Sequence, residues 1–226
     1  MGLPVFSIEP SVICCDLCNL ESEIRKWEAA GAKALHIDVL DGAFAPSLPV
    51  GIDTFQQLAK KTDLPFDVHI MSRNNRWFIE ECIKMDPARI CFQIEGEADP
   101  EQRIKTIRGA GISPGLAFSP ETDVKVAEHL LEKVDFVLLM RIKPGYAGFS
   151  QEEVTVDMDQ KIRDTRKLLD SVGPGKGIVI DGRVSFEDIT RLRNLGADTF
   201  VGGSRSLFTT KNYSENYMRA ERNYGG

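Results

Sequence analysis

Short apolar segments recur along the whole chain and alternate with longer, charged segments. The apolar segments are rich in β-branched residues and have the length of buried strands. They are residues 6–13, 34–40, 66–71, 89–94, 114–119, 136–142, 177–182 and 199–204. In the charged segment that follows the first of them, Leu20, Ile24 and Trp27 are spaced to share one face of a helix, and a glycine ends it. The pattern therefore predicts strands that alternate with helices, as in a parallel sheet.

The eight strand–helix units occupy a chain of 226 residues in which no change of composition marks a boundary. We therefore expect a single domain over residues 1–226 with an α/β fold, a small (β/α)8 or TIM barrel. A doubly wound sheet is the alternative arrangement of such units. The segment 143–157 is longer than the other connections and contains two glycines, which predicts a loop that closes over a site.

Composition and charge narrow the class of partner. The formal net charge is −6, whereas a nucleic-acid surface is normally basic, so no nucleic-acid partner is expected. No apolar run has the length of a membrane span, and the first residues lack the pattern of a signal peptide. The five cysteines are an odd number without the spacing of a disulfide framework, which indicates reduced thiols. Together these features predict a cytoplasmic protein without membrane contact.

Polar residues interrupt three of the predicted strands. His36 and Asp38 are two positions apart on the second strand and so point to the same face, His69 lies on the third, and Asp181 ends the seventh. In a (β/α)8 barrel the active site lies at the carboxyl ends of the strands. Two imidazoles and two carboxylates that converge there would suit Zn²⁺ or a similar divalent ion. The alternative is that His36 and Asp38 make only a local hydrogen bond.

Glycine-containing turns follow three consecutive predicted strands, at 144–148, 181–183 and 202–204. In barrels of this kind the loops after strands seven and eight often bind a phosphate through backbone N–H groups. Arg183 would add a charge-assisted contact to such a phosphate. Tight turns without a ligand are the alternative explanation for these glycines.

Several segments, taken in order, have the appearance of a known family. They are Pro10-Ser11, HIDVLDGAFAPSLPVG (36–51), DVHIM (67–71), LLMRIKPGYAG (138–148), VIDG (179–182) and GADTFVGGSRSLF (196–208). Along nearly its whole length the chain resembles the ribulose-phosphate 3-epimerase family. The resemblance implies an eightfold barrel with one divalent metal ion (Zn, Fe, Mn or Co) and no organic cofactor. It also implies a small phosphorylated ketose as substrate, most simply D-ribulose 5-phosphate, and a homo-oligomer.

The resemblance assigns roles residue by residue. The implied metal ligands are His36, Asp38, His69 and Asp181. Asp38 and Asp181 are also the implied acid and base, which exchange the proton at the third carbon through an enediolate. The implied substrate contacts are Ser11, His69, Met71, Met140, Gly145, Tyr146, Ala147, Gly148, Gly182, Arg183, Gly203 and Ser204.

The metal and catalytic positions match the family, but residues around them depart from its usual pattern. The family usually has Met at Leu40, His at Ala43, Asn at Ser47, His at Gln93 and Gly at Arg183, and its usual loop Asn-Pro-Gly-Phe-Gly-Gly-Gln is Lys-Pro-Gly-Tyr-Ala-Gly-Phe at 143–149. Two alternatives therefore stay open: an epimerase of a six-carbon ketose phosphate such as allulose 6-phosphate, and an inactive barrel kept for phosphate binding or assembly.

A third alternative is a lyase or synthase with the same type of barrel. Asp159, Lys161 and Asp164 match the Asp-x-Lys-x-x-Asp pattern of orotidine-phosphate decarboxylase relatives. Here the pattern lies in a predicted helix rather than at the end of a strand, so we interpret the match as chance.

Overall fold

The computed structural model describes residues 7–145 and 154–225. Each apolar segment predicted to be a strand overlaps one observed strand. The strands are β1 (Ser7–Pro10), β2 (Leu35–Leu40), β3 (Phe66–Met71), β4 (Arg89–Gln93), β5 (Ser113–Phe118), β6 (Phe136–Met140), β7 (Gly177–Asp181) and β8 (Thr199–Gly202). Neighbouring strands pair in parallel in the order β1-β8-β7-β6-β5-β4-β3-β2. This order is that of a (β/α)8 barrel, which confirms the predicted fold and excludes the doubly wound sheet.

A backbone bridge closes the barrel between β1 and β2. Ser11 pairs in parallel with His36, while the Ser11 N–H donates to the Gly202 carbonyl oxygen at 3.1 Å. Ser11 is therefore held by both neighbouring strands at the carboxyl end of β1.

A helical segment follows every strand. The α-helices are α1 (Leu20–Ala30), α2 (Ile52–Leu58), α3 (Asn75–Ile83), α4 (Pro100–Gly109), α5 (Met158–Val172), α6 (Phe186–Asn194) and α7 (Tyr213–Gly225). As predicted, Gly31 ends α1 in the left-handed conformation with φ 86°, which glycine adopts without steric cost. Within the described ranges, no helix is long and apolar enough to cross a membrane.

The element after β5 is a 3₁₀ helix and not an α-helix. Val124–Lys133 is 3₁₀-helical and kinked at Ala127, and His129 is exposed. Val124, Ala127 and Leu130 are all buried and recur every third residue. That spacing matches the three residues per turn of a 3₁₀ helix, which places them on one line facing the barrel.

The strands alternate between two apolar layers. In β2, Leu35, Ile37 and Val39 belong to the core between the sheet and the outer helices, so His36 and Asp38 face the barrel interior. All six residues of this strand are buried, because one face meets the helices and the other meets the opposite strands. The polar residues predicted to share a face therefore do so inside the barrel.

Candidate active site and metal centre

Four side chains meet inside the barrel mouth: His36 and Asp38 from β2, His69 from β3 and Asp181 from β7. One nitrogen or oxygen atom of each lies within 4.8 Å of those of the others. Asp38 Oδ1 is 3.4 Å from both His36 Nε2 and His69 Nδ1, and Asp181 Oδ2 is 3.7 Å from His69 Nδ1. The structure thus brings together the four residues that the sequence singled out, although their role as ligands stays a prediction.

The polar atoms of this cluster fit a divalent ion. His36 Nε2 and His69 Nδ1 are buried and make no hydrogen bond to any residue that the structure describes. A buried polar atom without a partner is energetically unfavourable, and a bound metal ion would supply the missing partner of both nitrogens. Two imidazole nitrogens with two carboxylate oxygens form a donor set that zinc and other first-row metals accept. The same donor set does not discriminate between zinc, iron, manganese and cobalt.

Asp38 is held in its ionised form. Burial alone would raise the pKa of this carboxyl, but the neighbouring His36 and His69 outweigh burial and lower it. Ser11 Oγ also donates a hydrogen bond to Asp38 Oδ2 at 3.1 Å. This contact fixes the orientation of the carboxylate and leaves Oδ1 directed between the two imidazoles.

A second charged layer lies below the cluster, deeper in the barrel. Arg89 Nη2 donates to Asp67 Oδ2 at 2.8 Å and to Glu9 Oε1 at 3.0 Å, and both carboxylates are fully buried. Glu9, His36 and Asp67 are also close enough to hold a metal ion. The guanidinium of Arg89 already supplies the cation between the two carboxylates, so we interpret this layer as an ion network rather than a second metal site.

This network orients His36. Its Nδ1 lies 3.1 Å from Asp67 Oδ2. Although burial raises the pKa of Asp67, the Arg89 guanidinium outweighs burial and lowers that pKa. An ionised carboxylate only accepts hydrogen bonds, so Asp67 holds a proton on His36 Nδ1 and turns Nε2 toward the cluster. The sequence analysis did not single out Glu9, Asp67 or Arg89, although Asp67 lies two positions from His69 and thus on the same strand face.

A cavity of about 440 Å³ opens above Asp38 and Asp181. Most of the side chains and glycines predicted to contact substrate line it: Ser11, Met71, Met140, Gly145, Gly182, Arg183, Gly203 and Ser204. His69 instead lies fully buried at its floor. Tyr146, Ala147 and Gly148, with most of the predicted closing loop 143–157, lie outside the described residues.

The cavity also has a polar lining that the sequence analysis missed. Arg205 and Cys14 both line it. Arg205 follows the glycine turn after β8 directly, which is the signal that would have singled it out. Burial raises the pKa of the Cys14 thiol to about 11, so this cysteine carries no charge at neutral pH.

The turn after β7 has an unusual backbone. Gly182 adopts φ 105°, and a Cβ there would lie 2.9 Å from Ile142 Cγ1. Arg183 has φ 52°, a left-handed conformation that is unfavourable by roughly 1 kcal/mol for a residue with a side chain. The chain therefore accepts local strain to place an arginine where the related sequences usually have glycine.

The sequence pattern that defines the Ribulose-phosphate 3 epimerase family matches residues 7–208. The chain belongs to this family. It is 34% identical over 200 residues to the ribulose-phosphate 3-epimerase of Methanocaldococcus jannaschii, covering 88% of this chain and 83% of that protein. It is 30% identical over 219 residues to the ribulose-phosphate 3-epimerase of Escherichia coli, covering 96% of both.

Solved structures of other enzymes share the barrel. The 3-hexulose-6-phosphate synthase from Salmonella typhimurium aligns with a TM-score of 0.69 at 14% identity, covering 97% of this chain and 98% of that chain. Orotidine 5'-phosphate decarboxylase from Pyrococcus horikoshii aligns with a TM-score of 0.66, also at 14% identity, covering 97% and 99%. At such identities the likeness shows the fold alone.

The Asp-x-Lys-x-x-Asp pattern of Asp159, Lys161 and Asp164 lies away from the cavity at Asp38 and Asp181. The pattern lies on α5, as predicted. Lys161 is half-buried, and its ammonium donates to the carbonyl oxygens of Ser119, Pro120 and Thr122. The lysine therefore anchors the loop after β5 and does not reach the cavity between Asp38 and Asp181.

Proposed function

We propose that this chain is a metal-dependent 3-epimerase that interconverts D-ribulose 5-phosphate and D-xylulose 5-phosphate. The observation that carries the proposal is the placement of Asp38 and Asp181, which line one cavity from β2 and β7 above two histidines. Membership of the family supports the reaction class. A cytoplasmic location, a homo-oligomer and a single domain over 1–226 stay predictions.

The chemistry requires two proton-transfer groups on opposite faces of the substrate. One aspartate removes the proton from the third carbon, next to the carbonyl, and leaves an enediolate. The other aspartate then delivers a proton to the opposite face, which inverts that carbon. Asp38 and Asp181 come from different walls of the barrel and so approach a substrate between them from two sides.

The site favours this transfer in two ways. A bound divalent ion would stabilise the negative charge that develops on the substrate oxygens. An aspartate with an ordinary pKa of about 3.9 is a weak base, and exclusion of water by a substrate that fills the cavity would make it stronger. Met71 and Met140 line the cavity and supply an apolar, unreactive surface beside the reacting carbon.

The phosphate end of the substrate would lie at the ends of β7 and β8. Gly182, Gly203 and Ser204 line that side of the cavity, where backbone N–H groups suit a phosphate. Arg183 and Arg205 line the same side and add positive charge.

A six-carbon ketose phosphate is a second candidate substrate. Ser47 and Leu40 line the cavity where the family usually has Asn and Met, and Ser47 is the smaller side chain. The decisive experiment incubates the metal-loaded protein with ribulose 5-phosphate or allulose 6-phosphate in deuterium oxide and follows exchange at the third carbon. Exchange with neither substrate would contradict the epimerase proposal and favour the inactive barrel.

Replacing Arg183 with glycine should separate binding from stability. We expect KM for the phosphorylated ketose to rise about tenfold, because a charge-assisted contact worth roughly 1.5 kcal/mol is lost. The free energy of unfolding should stay unchanged or rise by up to about 1 kcal/mol, because glycine adopts the positive φ freely. Steady-state kinetics and urea unfolding measure the two effects.

Asp86 provides the matched control for this change. It is the other non-glycine residue with positive φ in the described part of the chain, at φ 50°, and it does not line the cavity. Asp86→Gly should leave KM unchanged. An unchanged KM in Arg183→Gly as well would contradict a phosphate contact by that guanidinium.

Metal analysis tests the donor set directly. We expect one divalent ion per chain, and removal of the ion with a chelator should lower the exchange rate at least 100-fold, because charge stabilisation by such an ion is worth several kcal/mol. His36→Ala should abolish stoichiometric binding, whereas the same change at the exposed His129 should not. Full activity of a protein shown to be metal-free would contradict the metal-dependent mechanism.

A further inference from the structure

Arg141, the residue after β6, contacts the segment between β7 and α6 at three points. Its backbone N–H donates to the Asp181 carbonyl oxygen at 2.7 Å, where β7 ends. Its guanidinium donates to the Arg183 carbonyl oxygen at 3.4 Å. The same guanidinium donates to the Asp188 carboxylate, from Nη1 to Oδ2 at 3.1 Å and from Nη2 to Oδ1 at 3.4 Å. One residue thus holds this segment at the end of the strand, within the turn and at the start of the helix.

Asp188 is itself fixed in place at the start of α6. It forms a capping box with Ser185, in which each side chain accepts from the backbone N–H of the other residue. Burial alone would raise the pKa of Asp188, but contacts with Arg191, the Ser185 N–H and Arg141 lower it to about 2, so the carboxylate is ionised at neutral pH. The side chains of Arg141 and Asp188 are each only 19% exposed, so this ion pair is less screened by solvent than a surface pair.

The turn that Arg141 spans has a conformation that needs support. Arg183 has φ 52°, whereas a residue with a side chain favours negative φ. A Cβ on Gly182 would lie 3.3 Å from the Arg141 backbone nitrogen, so the turn also packs directly against Arg141. Arg183 lines the cavity but Arg141 does not. Arg141 can therefore influence a ligand through the turn and not by contact.

We propose that Arg141, paired with Asp188, is a positioning residue that holds the turn at Arg183 in its left-handed conformation and so keeps the Arg183 guanidinium at the phosphate end of the substrate. This inference rests on the placement of the phosphate in the proposed function. A glycine at position 183 would adopt positive φ without such support. The contribution of Arg141 to phosphate binding should therefore depend on the presence of Arg183.

Double-mutant kinetics of the metal-loaded protein with ribulose 5-phosphate test this dependence. For Arg141→Met we expect KM to rise about three- to tenfold with kcat within about twofold of wild type, because phosphate binding is shared by substrate and transition state. Arg141→Met combined with Arg183→Gly should have the KM of Arg183→Gly alone, within about twofold. Arg141→Lys keeps the charge and should recover part of the loss. An unchanged KM in Arg141→Met would overturn the proposal, as would independent effects of the two changes.

Binding of inorganic phosphate supplies a readout that needs no turnover. Its dissociation constant, measured by phosphorus-31 NMR, should rise in Arg141→Met by the same factor as KM. It should rise no further in the double variant than in Arg183→Gly. A higher KM with unchanged phosphate affinity would overturn the assignment of Arg141 to the phosphate end.

Arg166→Met is the matched control. Arg166 also bridges a carboxylate and a carbonyl oxygen, donating to Asp170 at 2.9 Å and to Lys176 at 2.7 Å, and its side chain is 21% exposed. It lies on α5 outside the cavity, so its replacement should leave KM and phosphate affinity unchanged. An equal rise of KM in Arg166→Met would trace the effect to a general loss of stability and overturn the proposal.

Asp188→Asn removes the charge of the partner but keeps the shape of its side chain. If Arg141→Met does not fold, this variant carries the same test: KM and the phosphate dissociation constant should rise, and unchanged values would overturn the proposal.

The outcomes distinguish this inference from the proposed function. A protein that exchanges no substrate hydrogen, but whose phosphate affinity falls in Arg141→Met, would contradict the epimerase proposal and leave the role of Arg141 intact. An active enzyme whose KM and phosphate affinity are the same in Arg141→Met would do the reverse. Absence of phosphate binding by the wild-type protein would overturn both the positioning role and the placement of the phosphate.

Discussion

Asp38→Asn and Asp181→Asn should each lower epimerisation of ribulose 5-phosphate by about 10³- to 10⁴-fold. Positioned acid–base groups contribute about 10²- to 10⁴-fold, and an amide neither removes nor delivers the proton at the third carbon. The upper part of that range is expected because both carboxylates also belong to the cluster that fits the metal ion. A coupled enzyme assay that detects xylulose 5-phosphate gives the rate of the complete reaction.

Solvent exchange resolves the two aspartates further. The aspartate that removes the proton from ribulose 5-phosphate in the forward reaction is the one that delivers a proton in the reverse reaction, which starts from xylulose 5-phosphate. Each single variant should therefore still exchange deuterium slowly into one epimer, without inversion, and fail to do so with the other. The two variants should show opposite preferences, since the proposed mechanism assigns Asp38 and Asp181 to opposite faces of the substrate.

The controls separate chemistry from metal loss. Metal content must be measured for both variants, because an asparagine is a weaker ligand than a carboxylate. Asp63→Asn removes an exposed carboxylate outside the cavity and should leave turnover unchanged. Normal turnover by both Asp38→Asn and Asp181→Asn would show that the two-aspartate mechanism is wrong.

The sequence predicted the barrel because each strand carries its own signal. In β2 and β3 the outward residues are apolar and the inward ones include His36, Asp38 and His69, so alternation alone placed these side chains on the inward face of each strand. The convergence of Asp181 with them depended on the barrel itself. Its position at the end of β7 became informative only once eight strands were assigned to one closed sheet.

Other features depended on contacts that a linear pattern does not contain. Glu9, Asp67 and Arg89 come from β1, β3 and β4, and nothing in their local segments shows that one guanidinium bridges two carboxylates. The contact between Gln93 and His69 likewise joins residues of two different strands and is not visible in either segment alone. In Val124–Lys133 the apolar residues that become buried recur at every third position, so the sequence does contain a signal for this 3₁₀ helix.

Arg89→Met should destabilise the folded protein by about 3–5 kcal/mol. Removing one partner of a buried ion network leaves its counter-charge buried without compensation. Here the fully buried, ionised Asp67 loses its cation, and the fully buried Glu9 loses the Arg89 hydrogen bond. Burial already raises the pKa of Glu9 to about 8 although Arg89 lowers it. Urea unfolding monitored by circular dichroism measures the change in the free energy of unfolding.

The dependence of this loss on pH identifies its cause. Without Arg89 the pKa values of Asp67 and Glu9 should both rise, because the guanidinium lowers both. Protonation then removes the uncompensated charge, so the stability difference from wild type should narrow as the pH falls and widen as it rises. A cavity left by the shorter side chain would instead give a difference that does not change with pH.

Two further variants complete the test. Arg89→Lys keeps the charge but lacks the two-pronged guanidinium, and we expect it to recover only part of the lost stability. Arg163→Met makes the same change on the exposed face of α5 and should alter stability by less than about 0.5 kcal/mol. If Arg89→Met were as stable as Arg163→Met at every pH, the network would contribute nothing to folding, and the orientation of His36 would have to depend on Asp67 alone.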